Sequence, residues 1–94
     1  MSIIGSYCVV RTTNAGVHCG IVVEQFNSSV LLEQASRIWS WSGANTLHEI
    51  ALNGVGEDSR ISEQVPSILL PAEVIEIIPC SDKARVNLQR SRWS

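Results

Sequence analysis

The stretch VHCGIVVEQFNSSVLLEQA, residues 17–35, decides the fold. Val, Ile and Phe crowd Val17–Phe26, and these side chains suit a pleated, half-buried surface. Asn27-Ser28-Ser29 interrupts the run as a turn, and Val30–Ala35 (VLLEQA) resumes it. Two apolar runs separated by a short polar turn predict an antiparallel pair. Gly20 sits inside the first run, where a glycine marks a bulge or a close backbone approach. Asn27-Ser28-Ser29 also fits a glycosylation sequon, but reads more simply as the turn.

Working outward, Tyr7–Thr12 (YCVVRT) reads as a preceding strand, joined through Thr13–Gly16 (TNAG), whose Asn and Gly accept positive φ. Arg37–Trp41 (RIWSW) is a fourth strand or a continuation of the third. Trp39 and Trp41, two apart, face the same way on a strand. The period then changes. Thr46 and Glu49 form a T-x-x-E capping box, and Leu47, Ile50 and Ala51 recur at helical spacing until Gly54 and Gly56. This predicts a helix of about two turns, held by tertiary packing. After the polar loop Gly56–Arg60, Ile61–Val65 alternates apolar and polar residues. Ser67–Leu70 and Glu73–Cys80 read as further strands among Pro66, Pro71 and Pro79. Ser81 and Asp82 open a C-terminal helix, with Val86 and Leu88 packing and Arg85, Arg90 and Arg92 exposed. The expected class is α+β, mainly β: an antiparallel meander with one or two short helices, in a single domain over residues 1–94.

Composition narrows the function. Charged residues make up 17% of the 94, against about 25% in an average domain. So few charges predict an oligomer that covers apolar surface with another copy. Net charge is 7 − 9 = −2, which argues against a DNA or RNA polymer, whose recognition needs a dense basic face. No run approaches a membrane span, and the opening MSIIGSYCVV lacks the basic start and apolar core of a signal peptide. Cys8, Cys19 and Cys80 form no C-x-x-C pair, so a disulfide framework and a metal site are not expected. No cofactor is indicated.

Catalysis finds little footing. His18 and Cys19 are adjacent on a strand, so they point to opposite faces. Free cysteines usually behave as small buried hydrophobes. A phosphate site has better grounds. Gly43, Ala44 and Asn45 lead into the first helix with little side-chain bulk, beside N–H groups that lack intrahelical acceptors. Against it, Thr46 and Glu49 are placed to occupy those donors themselves. Arg60, in a loop, is either a solvated arginine or a planar fork for phosphate. Arg11, at a strand end, reads the same two ways. The tryptophans are core, interface or a stacking surface.

The blocks VVRTTNAGVHCG, ASRIWSWSGANTLHEIAL, SRISEQVP and EVIEIIPCSDKA, in that order, resemble the phage Thoeris anti-defence sponge proteins of the first described type, over about Tyr7–Trp93. The resemblance implies a non-catalytic trap in the host bacterial cytoplasm that sequesters glycocyclic ADP-ribose isomers and the cyclic di- and trinucleotides of CBASS immunity. It implies dimers assembling into a hexamer, with ADP-ribose-type pockets at dimer interfaces and cyclic-trinucleotide pockets shared by three protomers. It assigns Gly43, Ala44, Asn45 and Arg60 to cyclic-nucleotide binding. Arg11, Thr12, Ala15, Gly16, Val17 and His18 fall to the cyclic ADP-ribose pocket. This chain departs from the family pattern at Thr13-Asn14 and at Ser40, between the tryptophans. A three-fold axis presenting one arginine three times would match three phosphates without a basic surface.

Overall fold

The structure is a computed structural model, and it describes residues 3–90. Its elements run β1 (Tyr7–Thr12), β2 (Val17–Phe26), β3 (Ser29–Ser40), α1 (Leu47–Asn53), β4 (Arg60–Ile61), β5 (Val65–Leu70), β6 (Val74–Pro79) and α2 (Asp82–Leu88). The strands form one antiparallel sheet in the order β4-β3-β2-β1-β6, with β5 pairing the N-terminal half of β3. The expected class holds: mainly β, with two short helices, the second C-terminal. Among the described residues no helix is long and apolar enough to cross a membrane.

The sheet cannot be flat. β5 and β6 lie at opposite ends of the path β5-β3-β2-β1-β6, a flat separation of about 19 Å at the usual strand spacing. Only three residues separate Leu70 from Val74, and four fully extended steps reach about 14 Å. The sheet therefore curls. The tip of the β2–β3 hairpin meets the β5–β6 link: Val74 N–H donates to the Ser28 carbonyl at 2.9 Å, and Ala72 N–H to Ser29 Oγ at 2.7 Å. Asn27 and Ser28 both take positive φ (46° and 63°), the backbone of a tight hairpin turn whose twist matches its strands.

The bend comes from bulges. Cys19 pairs with Ser36 and Ile21 with Glu33, so Gln34 and Ala35 oppose the single Gly20. Gln34 takes a positive φ of 50°. A Cβ on Gly20 would lie 3.0 Å from the Glu33 carbonyl oxygen, which is why this position is bare. A second shift follows at Val22/Glu24.

Two cores result. Cys8, Val10, Val22, Val30, Leu32, Ala35 and Leu70 fill the inside of the curl. Tyr7, Val9, Cys19, Ile38 and Ile61 pack on the other face beneath Ile50, Ala51, Val55 and Leu88. Thr46 Oγ1 accepts from Glu49 N–H, and Ser81 Oγ from Ala84 N–H, so both expected caps form. Burial raises the Tyr7 phenol pKa, and the Arg85 guanidinium sits 5.5 Å from the ring centroid.

Of the two readings of Arg37–Trp41, continuation of the third strand holds: β3 runs Ser29–Ser40, bulged rather than broken. Other expectations need correction. Ile61–Val65 is not a strand: β4 ends at Ile61 and β5 starts at Val65. Pro66 is tolerated inside β5 because that strand pairs only with β3. Trp39 and Trp41 do not share a regular strand face. Trp39 is the extra residue of a bulge opposite β4, and Trp41 lies beyond the strand end. Val86 does not pack but is exposed, whereas Leu88 is buried; Arg85 is half-buried over Tyr7 rather than exposed. Arg92 lies outside the described residues.

The two helices are locked together by Asn87, whose Oδ1 accepts from Val55 N–H and whose Nδ2 donates to the Val55 carbonyl. Gly54, at φ 81° and ψ −158°, occupies backbone space open essentially to glycine alone. A Cβ there would lie 2.4 Å from the Asn87 amide. Gly54→Ala is expected to cost about 2–4 kcal/mol in urea unfolding, as strain and lost hydrogen bonds combine. Gly16→Ala, at φ 82° but with open space around it, should cost about 1 kcal/mol.

Candidate functional site

Arg11, Val17 and Asn45 converge on one cleft of about 390 Å³. Trp41, Thr46, Leu47, His48 and Glu76 complete its lining. It lies on the helical side of the sheet, because Arg11 shares the face of Tyr7 and Val9. Val17 is the cross-strand neighbour of Arg11 on one side and Glu76 on the other. The start of α1 supplies the roof. The volume falls at the lower end of the ~300–1,000 Å³ of small-molecule sites.

A bulge in β6 aims the acidic partner. Arg11 pairs with Glu76 and Thr12 with Val74, leaving Ile75 extra. Val74 and Ile77 can then both pack inside the curl although they are three apart. Glu76 stays on the outer face, where Oε1 sits 3.6 Å from Arg11 Nε. That distance is longer than a close charge-assisted hydrogen bond, and the Arg11 side chain remains about half and the Glu76 side chain about a third open to solvent.

The helix start is self-occupied. Glu49 Oε2 accepts from Asn45 N–H at 3.3 Å, and Thr46 Oγ1 accepts from Glu49 N–H at 3.2 Å. The carboxylate reaches one residue further back than the predicted capping box, to Asn45 rather than Thr46. A phosphate seated on this backbone must displace Glu49. The Asn45 side chain remains at the exposed cleft rim.

The other predicted residues separate by role. Thr12 is buried, and its Oγ1 donates to the Gly16 carbonyl and accepts from Ala15 N–H, so it builds the β1–β2 turn. Gly16 closes that turn, and Ala15 packs against the inner core. His18 is buried on the opposite face from Val17, and its Nε2–H donates to the Ala15 carbonyl at 2.9 Å. It lines a separate cavity of about 130 Å³ with Ala35, Ser36 and Arg37. Gly43, at φ 79°, packs closely on Gly56, while Ala44 is half-buried on the helical core. Arg60 is exposed on β4 opposite Ser40 and does not line the cleft; among the described residues it makes no ion pair. Trp41, one of the two tryptophans read as core, interface or stacking surface, borders the cleft, whereas Glu76 was not legible as a site residue. Glu76 has no motif of its own, and only the strand register reveals its place opposite Arg11.

The nucleophile chemistry is quiet. Burial pushes Cys8 and Cys19 up to about 11 and Cys80 to about 12. All three are therefore thiols, not thiolates, near neutral pH. Among the described residues no three of His, Cys, Asp and Glu gather as a metal site.

Burial, followed by the Arg37 charge, lowers the His18 pKa below its usual 6.5, partly opposed by the Ala15 carbonyl. A depressed histidine contributes full stability above its unfolded value. As pH falls through about 6.5 the unfolded chain takes up a proton that the fold resists, so stability declines towards the folded value. Urea midpoints should fall from pH 7.5 to 5.5, and His18→Gln should flatten that decline. An equal slope in the variant would show that another group carries it.

No curated protein and no solved structure matches the chain. The family model for DUF6948, a domain of unknown function, matches residues 5–88, spanning the curled sheet, the cleft and both helices, and the chain belongs to that family.

Proposed function

We propose that this protein binds and sequesters immune signalling nucleotides, glycocyclic ADP-ribose or CBASS cyclic di- and trinucleotides, without degrading them. On this reading it is a phage anti-defence sponge acting in the host bacterial cytoplasm. The observation that carries the proposal is the convergence of Arg11, Val17 and Asn45 with an exposed indole on one cleft. Arg11 and Val17 come from one sequence block and Trp41 and Asn45 from another, and both blocks carry the sponge resemblance. An aromatic face beside charged and amide side chains offers stacking for a nucleotide's base and hydrogen bonds for its polar edges.

Two further observations support it. The buried thiols and the buried, carbonyl-bound His18 suit a protein that holds a ligand rather than attacks it. Large apolar side chains stand exposed on several elements, including Leu52 and Val86 on the helices and Val65 and Leu69 on β5. Together with the low charge content, these favour an oligomer, which the sponge resemblance puts at dimers assembling into a hexamer. In such an assembly Gly43, Ala44, Asn45 and the exposed Arg60 would form the cyclic-oligonucleotide site from several protomers.

The test is capture and release. Purified protein is incubated with a cyclic ADP-ribose isomer or a cyclic trinucleotide, washed, heat-denatured, and the supernatant analysed by mass spectrometry. Intact ligand is expected. Degraded ligand would favour an enzyme, and no capture at micromolar protein would remove the proposal. Arg60→Ala should weaken cyclic-trinucleotide capture by about tenfold, the scale of one lost charge-assisted contact, with no change in melting temperature.

A further inference from the structure

We propose that the Arg11–Glu76 cleft is a nucleoside subsite, in which Glu76 accepts the vicinal hydroxyls of a ribose and from which the ligand's phosphates are kept out. The inference rests on the sequestration reading and narrows it to the part of the ligand that this cleft holds.

Charge is the first argument. Arg11 is the cleft's arginine, and Glu76 lies 3.6 Å from it in the same lining. A second carboxylate, Glu49, holds the Asn45 N–H at the rim. A phosphate approaching Arg11 would meet the Glu76 carboxylate beside it, and one seated on the Asn45 N–H would have to displace Glu49, so repulsion offsets the attraction of one guanidinium. The cleft therefore lacks the net positive potential that a bare phosphate needs. It favours a neutral group.

Hydrogen-bonding capacity is the second. A carboxylate offers acceptor sites only, about four of them, and a single 3.6 Å ion pair leaves most of Glu76's capacity open. Neutral O–H donors satisfy that capacity without adding charge. Two adjacent hydroxyls can engage both carboxylate oxygens, and an acidic side chain reading ribose hydroxyls is established chemistry in other nucleotide sites. The β6 bulge keeps this carboxylate on the cleft face while Val74 and Ile77 turn inward.

Shape is the third. Trp41 is 37% exposed and borders the cleft with Leu47 and Val17. This apolar wall suits a base, whose stacking on an indole does not depend on its identity. A volume of about 390 Å³ suits one nucleoside rather than a whole cyclic trinucleotide.

The test is equilibrium dialysis of the intact protein with adenosine, 2′,3′-dideoxyadenosine and inorganic pyrophosphate. Adenosine should be retained at millimolar concentration or below, and the dideoxy analogue about tenfold more weakly. Pyrophosphate should not compete. Glu76→Gln should cut adenosine binding about fivefold and nearly erase the preference for hydroxyls. Trp41→Ala should weaken both nucleosides equally. Competition by pyrophosphate, tighter binding in Glu76→Gln, or equal binding of the two nucleosides would overturn the subsite. Capture of an intact messenger without adenosine binding removes the subsite and leaves sequestration standing. Failure of both removes both.

Discussion

The hydrogen bond from Val74 N–H to the Ser28 carbonyl is the constraint on which this architecture depends. It ties the tip of a long hairpin to the first residue of the strand at the far end of the sheet. The link from β5 to β6 is too short for any flat arrangement, so the hairpin must bend over. The bend needs bulges, and the bulges need a bare backbone at Gly20, where Glu33 comes too near for a side chain. Curling then divides the apolar residues between an inner core and an outer one, each too small alone for a stable domain of this size.

The same geometry makes the cleft. A curled sheet leaves its outer face free for α1 and α2, and α1 covers only part of it. The uncovered end exposes Arg11, Val17 and Glu76, while the loop after β3 brings Trp41 to the border. The β6 bulge is needed twice, for packing and for presentation. It places Val74 and Ile77 inside although they are three apart, and it keeps Glu76 outside against Arg11. A regular strand would satisfy one role and lose the other.

Much of the fold was legible because its signals are local. The strand runs, the turns at Thr13–Gly16 and Asn27–Ser29, the Thr46 and Ser81 caps and the Gly20 irregularity each follow from residue type and spacing. What was not legible depends on register. Whether Trp39 and Trp41 share a face turns on a bulge set by the pairing of Ile38 and Ser40 with β4, which no local pattern shows. The packing of Val86 failed for a related reason: helical spacing alone does not say which side of a seven-residue helix meets the sheet. Arg11, Val17 and Asn45 were legible as candidates, yet their convergence was not, because it requires the outer face of three strands and the roof of α1 together. Glu76 escaped notice since an acidic residue in an apolar strand carries no signature until its cross-strand partner is known.

The pairing of β1 with β6 also bears on how the molecule forms. Tyr7–Thr12 finds one neighbour within a few residues of sequence, but the other only at Val74–Pro79. The outer core closes later still, when Leu88 and Asn87 reach Ile50 and Val55. During synthesis the hairpin can assemble early, yet one edge of the first strand stays unpaired until the last quarter of the chain has left the ribosome. Topologies rich in such distant contacts fold slowly and expose sheet edges while they wait. The nascent chain is thus most vulnerable to misassociation in its N-terminal half, at a stage when the finished molecule's cleft does not yet exist.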